Sequence, residues 1–203
     1  PWLKYGIDAP SGGQEYMAQI DYTPSRNYSA YLRYKYRQKE KNGTFENDNL
    51  LKINTCKQHR IRFQQVYNFS SPFIFKTSLD GILFDDPIKK LNKGIMISQS
   101  IGWKPTTLPL QIDGYLAWFY TDDYNSRVSS YEKNILYAFN MPFFYGDGMR
   151  FALTFRLDIW KRLSLSAKLA YTHYWDRDLI GTDTEEISGS DKTDLYALLR
   201  WKF

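Results

Sequence analysis

Apolar and polar side chains alternate one for one along most of this chain, and the alternation runs to its last residue. In 194–203, Leu195, Ala197, Leu199, Trp201 and Phe203 fall on one parity, and Asp194, Tyr196, Arg200 and Lys202 on the other. Successive side chains of a β-strand point to opposite faces, so this pattern specifies a strand with one oily and one wet face. The pattern recurs upstream. Over 149–159, Met149, Phe151, Leu153, Phe155, Leu157 and Ile159 oppose Arg150, Ala152, Thr154, Arg156 and Asp158. Over 163–175, Leu163, Leu165, Ala167, Leu169, Tyr171 and Trp175 oppose Ser164, Ser166, Lys168, Thr172 and Tyr174. Over 112–121, Leu116, Trp118 and Tyr120 oppose Asp113, Tyr115 and Thr121. Similar runs occupy 14–22, 28–37, 60–69, 73–84 and 94–104, and no segment keeps a helical period. The chain reads as all-β, a single domain over 1–203, with strands about as long as a tilted bilayer crossing requires.

Composition says which solvent each face meets. Mean hydropathy is −0.54, yet the chain holds 6 Trp, 17 Tyr and 13 Phe. A barrel with lipid outside, water inside and aromatic girdles at both interfaces combines those two properties. No stretch approaches the roughly 18 apolar residues of a spanning helix. The single cysteine, Cys56, rules out an internal disulfide framework and a cysteine-built zinc site. Net charge is +5, without a compact Lys/Arg stripe, which is weak support for nucleic-acid binding. A soluble barrel or sandwich alternates in the same way. It would not need so many long strands, nor the closing Trp201-Lys202-Phe203.

Connection lengths point the same way. With the side on which the last strand ends as reference, the turns at 23–27, 70–72, 105–109 and 161–162 fall on that same side and are short. The segments 38–55, 85–93 and 176–191 then form long outer loops, the usual barrel asymmetry. This holds only if 126–145 contains two strands, about 126–133 and 135–144, the first with poor alternation. The expectation is an antiparallel transmembrane barrel of about twelve strands, an even count.

The closing strand resembles the last strand of bacterial outer-membrane barrels, where the final strand is also the signal read by the barrel assembly machinery. On that resemblance Trp201 and Phe203 carry the signal. Further segments are similar to the C-terminal barrel half of a Bacteroidota outer-membrane family, often labelled helix-hairpin-helix or competence-like for a separate N-terminal region. They are Arg33 to Lys41, Thr121 to Arg127 with Tyr131-Glu132 and Leu136 to Phe139, Tyr145 to Arg150, and Tyr174 to Asp178. The family barrel is longer than 203 residues, and a start at Pro1 without Met or leader implies a processed chain or a fragment, so further strands upstream are expected. None of the helix-hairpin-helix region is present, so no nucleic acid is expected to bind this segment.

Candidate chemistry is sparse. His173 shares a face with Leu169, Tyr171 and Trp175, and His59 stands one step off the polar register; neither has a Ser or Asp pattern that would make it a catalytic base. The acids Asp176, Asp178, Asp183, Glu185, Glu186 and Asp191 lack the punctuated spacing of a calcium loop, so no metal and no cofactor is expected. The inward parity is more informative. It carries twelve cations (Arg33, Lys35, Arg37, Arg60, Arg62, Lys76, Lys104, Arg150, Arg156, Lys168, Arg200 and Lys202). Against them stand seven anions (Glu15, Asp21, Asp80, Asp113, Asp158, Asp176 and Asp194). The basic cluster singled out is Arg33, Lys35, Arg60, Arg62, Arg156, Lys168 and Arg200. Tight turns set Asp80 against Arg62 or Arg60, and Glu15 against Lys35 or Arg37. A row Arg156, Lys168, Arg200 is expected across the last three strands, with Asp158 diagonal to it.

Two readings of such a lumen follow: a salt-bridged plug, or an anion-favouring pore. The expectation is a non-enzymatic integral outer-membrane protein of a Gram-negative bacterium, a structural or interaction subunit of a complex. The alternative is a transport barrel for anionic or polar solutes. Lipid, lipopolysaccharide, the assembly machinery and other outer-membrane proteins are the expected partners.

Overall fold

The computed structural model describes residues 7, 10–45, 48–69, 72–87, 89–139, 141–181, 184 and 186–203. The expected turn at Ser70-Ser71 and the acids Asp183 and Glu185 lie outside the described residues. Nine long strands form one antiparallel sheet. They are β1 (Gly13–Ser25), β2 (Tyr28–Phe45), β3 (Asp48–Phe69), β4 (Phe73–Asp86), β5 (Lys89–Trp103), β6 (Leu110–Thr121), β9 (Asp147–Trp160), β10 (Leu163–Tyr174) and β13 (Asp191–Trp201). Each pairs with its predecessor in that order, and among the described residues β1 and β13 are its two edges. Two-residue ribbons, β7 (Val128–Ser129) with β8 (Phe143–Phe144) and β11 (Leu179–Ile180) with β12 (Ile187–Ser188), stand apart from it.

Among the described residues the expected count of about twelve is therefore corrected to nine long strands. Among the described residues the stretch 126–145 holds no long strand. After a 3-10 turn at Tyr124–Ser126, capped by the Asp123 carboxylate, it contributes only the β7–β8 ribbon. Its poor alternation is the physical reason: Val128, Ser129, Ser130 and Glu132 are all buried, which no two-faced strand allows. Two expected outer loops are corrected as well. Residues 38–45 and 48–55 continue the β2–β3 ladder, with Lys39 facing Cys56 and Asn42 facing Ile53, and 85–86 and 89–93 continue the β4–β5 ladder, with Asp86 facing Lys89. Backbone pairing does not require apolar side chains, so polar residues extend these hairpins unseen by a hydrophobicity pattern.

Register divides the sheet into a bare face and a covered face. One bare-face row runs Tyr28, Tyr67, Phe75, Ile101, Gly114, Leu153, Leu169, Leu195 across eight strands. A covered-face row five residues further along runs Gln19, Arg33, Arg62, Asp80, Met96, Phe119, Gly148, Tyr174. Leu153, Leu169, Leu195 and Leu199 are exposed on the bare face. The segment 122–146 lies over the other, and the apolar core sits between them: Phe144 stacks on Phe119 at 4.9 Å, and Tyr174 meets Phe119 edge-on at 5.6 Å. Burying each such ring contributes roughly 1.5–3 kcal/mol. Gly94 permits this approach, because a Cβ there would stand 2.3 Å from the carbonyl oxygen of Ser126.

Candidate functional site

The covered face carries the charge, and the segment over it divides that charge into two regions. In the first, Arg150 of β9 and Lys168 of β10 point under the segment. Glu132 comes down between them and accepts from Arg150 Nη2 at 2.7 Å, Arg150 Nε at 2.9 Å and Lys168 Nζ at 2.7 Å. Arg150 Nη1 also donates to Thr172 Oγ1 at 2.7 Å and reaches Asp194 Oδ2 at 3.3 Å. The three charged side chains of this knot are 1–4% exposed. Two cations meet two carboxylates, and every charge has a partner. Lys133 to Asp113 at 2.7 Å and Thr154 Oγ1 to the Lys133 carbonyl at 3.1 Å fix the next turn of the segment.

The expected basic row is corrected here. A register shift between Leu163 and Ser164 puts Arg156 opposite Ser166 and Lys168 opposite Thr154. On the other side Lys168 faces Tyr196, and Arg200 faces Ser164. The three cations are thus not side by side: Arg156 bonds Asp158 at 3.2 Å, Lys168 belongs to the knot, and Arg200 lines a separate cavity of about 410 Å³ with Arg156. The two tight-hairpin expectations agree with the structure. Arg62 faces Asp80 and bonds it, and Glu15 faces Arg37 while pairing with Lys35 at 2.7 Å and Arg37 at 3.5 Å.

The second region is the wall made by β2 and β3. Register sets Arg33 directly across from Arg62 and Lys35 directly across from Arg60, two like-charged pairs in succession. Facing like charges are destabilising. The segment adds a further cation, Arg127, lying over the Tyr124 ring at 4.3 Å and the Phe143 ring at 5.6 Å. Lys35, Arg37, Arg60 and Arg127, with Gln58, Asn125 and Phe143, enclose a cavity of about 250 Å³ that no carboxylate lines. A smaller one of about 140 Å³ adjoins it, lined by Met17, Arg33, Lys35, Arg60 and Arg62. Arg62 is held by Asp80 and by the Ser129 carbonyl at 2.8 Å. Among the described residues Arg60 has no hydrogen bond and no ion pair.

Both histidines stand on the bare face. His59 Nδ1 meets the Tyr34 hydroxyl at 2.7 Å, and His173 Nδ1 meets Asp191 Oδ1 at 2.6 Å with Trp175 edge-on. Among the described residues no three His, Cys, Asp or Glu gather as metal ligands would. Trp201 is exposed at the end of β13 on the bare face, with Phe203 two residues beyond.

Sequence reasoning missed Glu132 by placing it in a strand, and missed Arg127 and Asn125 as partners of the β2–β3 wall. It did single out segments that meet at one corner. Arg177 donates to the Tyr145 carbonyl at 3.0 Å and lies over the rings of Tyr145 and Tyr174 at 4.2 and 4.7 Å; Tyr145 packs edge-on against Tyr124 at 5.3 Å. Gly146 at φ +88° is required there, because a Cβ would collide with both Arg177 and Asp176. No protein-family model, no curated protein and no solved structure matches this chain.

Proposed function

We propose that this chain is a non-enzymatic integral β-barrel protein of the bacterial outer membrane, a structural or interaction subunit of an outer-membrane complex. The observation that carries the reading is the bare face. From the turn ends of the strands up to Lys57, Asp85, Lys93, Asp147 and Asp191, it bears no Asp, Glu, Lys or Arg among the described residues. Polar groups within that band pair with each other: Thr77 Oγ1 donates to Gln99 at 2.6 Å, and the Tyr28 hydroxyl to Gln65 at 3.3 Å. Aromatics edge it on both sides, with Tyr67, Phe69, Phe73, Trp103 and Trp201 at the turn end and Trp118, Tyr120, Tyr171 and Trp175 at the other. About ten residues at ~3.3 Å each and a tilt near 45° span roughly 23 Å, the height of an outer-membrane apolar band. A water-facing sheet rarely exposes so large an apolar patch.

The segment 122–146 favours a filled interior over an open pore, and hence the structural reading over transport. Open sheet edges are costly in lipid, so β1 and β13 would pair with further strands and make this sheet part of a larger barrel. Lipid and lipopolysaccharide would contact the bare face and its rim, other outer-membrane proteins the outer hairpins, and the assembly machinery the β13 end at Trp201 and Phe203. The resemblance to the Bacteroidota barrel family supports the same placement.

Two substitutions on one strand test the membrane reading. Leu195→Arg on the bare face is expected to cost ~2–4 kcal/mol in refolding into lipid vesicles. Leu198→Arg, pointing into the 410 Å³ cavity, is expected to cost far less. Equal costs would overturn the assignment. In planar bilayers the chain is expected to be silent; stable single channels would favour the transport reading, whose support is the basic wall of β2 and β3.

A further inference from the structure

We propose that the cavity between the β2–β3 wall and the segment 122–146 is a binding site for a phosphate-class oxyanion. Lys35, Arg37 and Arg60 enter it from the sheet and Arg127 from the segment, with Gln58 and Asn125 as neutral donors. Around this point Arg33, Lys35, Arg37, Arg60, Arg62 and Arg127 make six cations, and Glu15 and Asp80 are the carboxylates bonded to them. Glu15 is bonded by Lys35 and Arg37 and Asp80 by Arg62, and neither carboxylate lines the cavity. The cavity lining therefore carries more positive charge than the neighbouring carboxylates balance, and among the described residues Arg60 makes no hydrogen bond and no ion pair.

The chemistry of the donors selects the ligand. Three guanidinium groups and one ammonium around a common space suit an anion with several equivalent oxygens, since the planar fork of Arg binds phosphate oxygens two at a time. At ~30 Å³ per water, the cavity has room for roughly eight water volumes, enough for a phosphate or diphosphate group that keeps part of its hydration. Asn125 also accepts from Lys41 Nζ at 3.3 Å, which orients its amide beside the site. An anion here would bridge sheet and segment, replacing the like-charge repulsion of the facing pairs by shared contacts. The proposal stands on the covered face alone and does not require the bare face to meet lipid.

The test is titration of the full chain, refolded in detergent, with inorganic pyrophosphate by calorimetry. Saturable binding is expected, weakened at least tenfold in Arg60→Gln and in Arg127→Gln, and unchanged in Arg156→Gln, which lines the other cavity. Absence of saturable binding at millimolar pyrophosphate would overturn the site, as would equal affinity in the Arg60 and Arg127 variants. Where a variant does not refold, the wild-type melting temperature decides: pyrophosphate must raise it by several degrees beyond chloride of equal ionic strength, and no excess over chloride overturns the proposal. Displacement of pyrophosphate by short-chain phosphatidic acid would assign the site to a phosphate carried on a lipid; binding without displacement would assign it to a soluble anion. Either supports the oxyanion chemistry.

Discussion

Two clusters of cations lie under the same segment of chain, and the fold treats them in opposite ways. At the β9–β10 end, Arg150 and Lys168 receive Glu132 and Asp194, and the region is closed and neutral. At the β2–β3 end no carboxylate lines the space between Arg60 and Arg127, and Arg127 donates only to the Tyr124 carbonyl, at 3.0 Å. The first arrangement stabilises by satisfying buried charge, the second holds charge ready for something outside the chain. A buried pair is no great gain over an apolar one, but breaking it is costly. The difference predicts where the molecule tolerates change.

The largest effect is expected at the knot. Glu132→Gln removes the carboxylate that two buried cations share, leaving Arg150 only Asp194 and Lys168 no ion pair among the described residues, and should cost ~3–5 kcal/mol in denaturant unfolding. Replacing Glu132, Arg150 and Lys168 together by Met should recover most of that loss. A cost under ~1 kcal/mol for Glu132→Gln would break the contrast between the regions, since exposed pairs are worth no more.

Converting the open region into a closed one is a gentler test. Gln58 faces Arg37 and lines the basic cavity. Gln58→Glu supplies the missing carboxylate and should raise stability by ~0.5–1 kcal/mol, as an opposite-charge cross-strand pair does. It should also remove pyrophosphate binding. Destabilisation would mean that the wall's charge is already balanced.

Salt gives a smaller signal. Raising ionic strength from 0.05 to 0.5 M shortens the screening length severalfold, so the wild type should gain a few tenths of a kcal/mol from relief at the open region. The gain should vanish in Gln58→Glu. Loss of stability with salt in both proteins would contradict an uncompensated cluster.

The smallest effect lies at the corner of Tyr145, Tyr174 and Arg177. Partial burial works to raise the Asp176 carboxyl, but the hydrogen bond and charge of Arg177, with backbone N–H groups, outweigh it and hold the pKa below its ordinary value of 3.8. A carboxylate lowered on folding contributes stability above its unfolded value, and that contribution is lost as pH falls through the lower, folded one. Trp175 fluorescence should therefore report loosening only below pH ~4, and Asp176→Asn should abolish the transition.

The strands were legible because a two-faced strand has no choice of pattern. Leu195 to Phe203 could be read alone, and so could the pairing of Arg62 with Asp80, since a short turn leaves little freedom of register. The row through Lys168 failed because a bulge beside Leu163 and the folded ribbon of 176–191 both shift pairing, and neither leaves a mark in hydrophobicity. Glu132 failed for a different reason. Its segment has no period, since each residue answers to whichever part of the sheet it rests on. Poor alternation over 126–133 was the available sign that this stretch is not a strand.

The parity of the sheet has a consequence for how it could be closed. In an up-and-down sheet of nine strands the first and the ninth run in the same direction, so β1 and β13 are parallel to one another. Zipping them together directly would create one seam of slanted, evenly spaced hydrogen bonds in an otherwise antiparallel cylinder. A uniform antiparallel cylinder needs an odd number of added strands between those two edges. Any proposed completion can be judged first by counting.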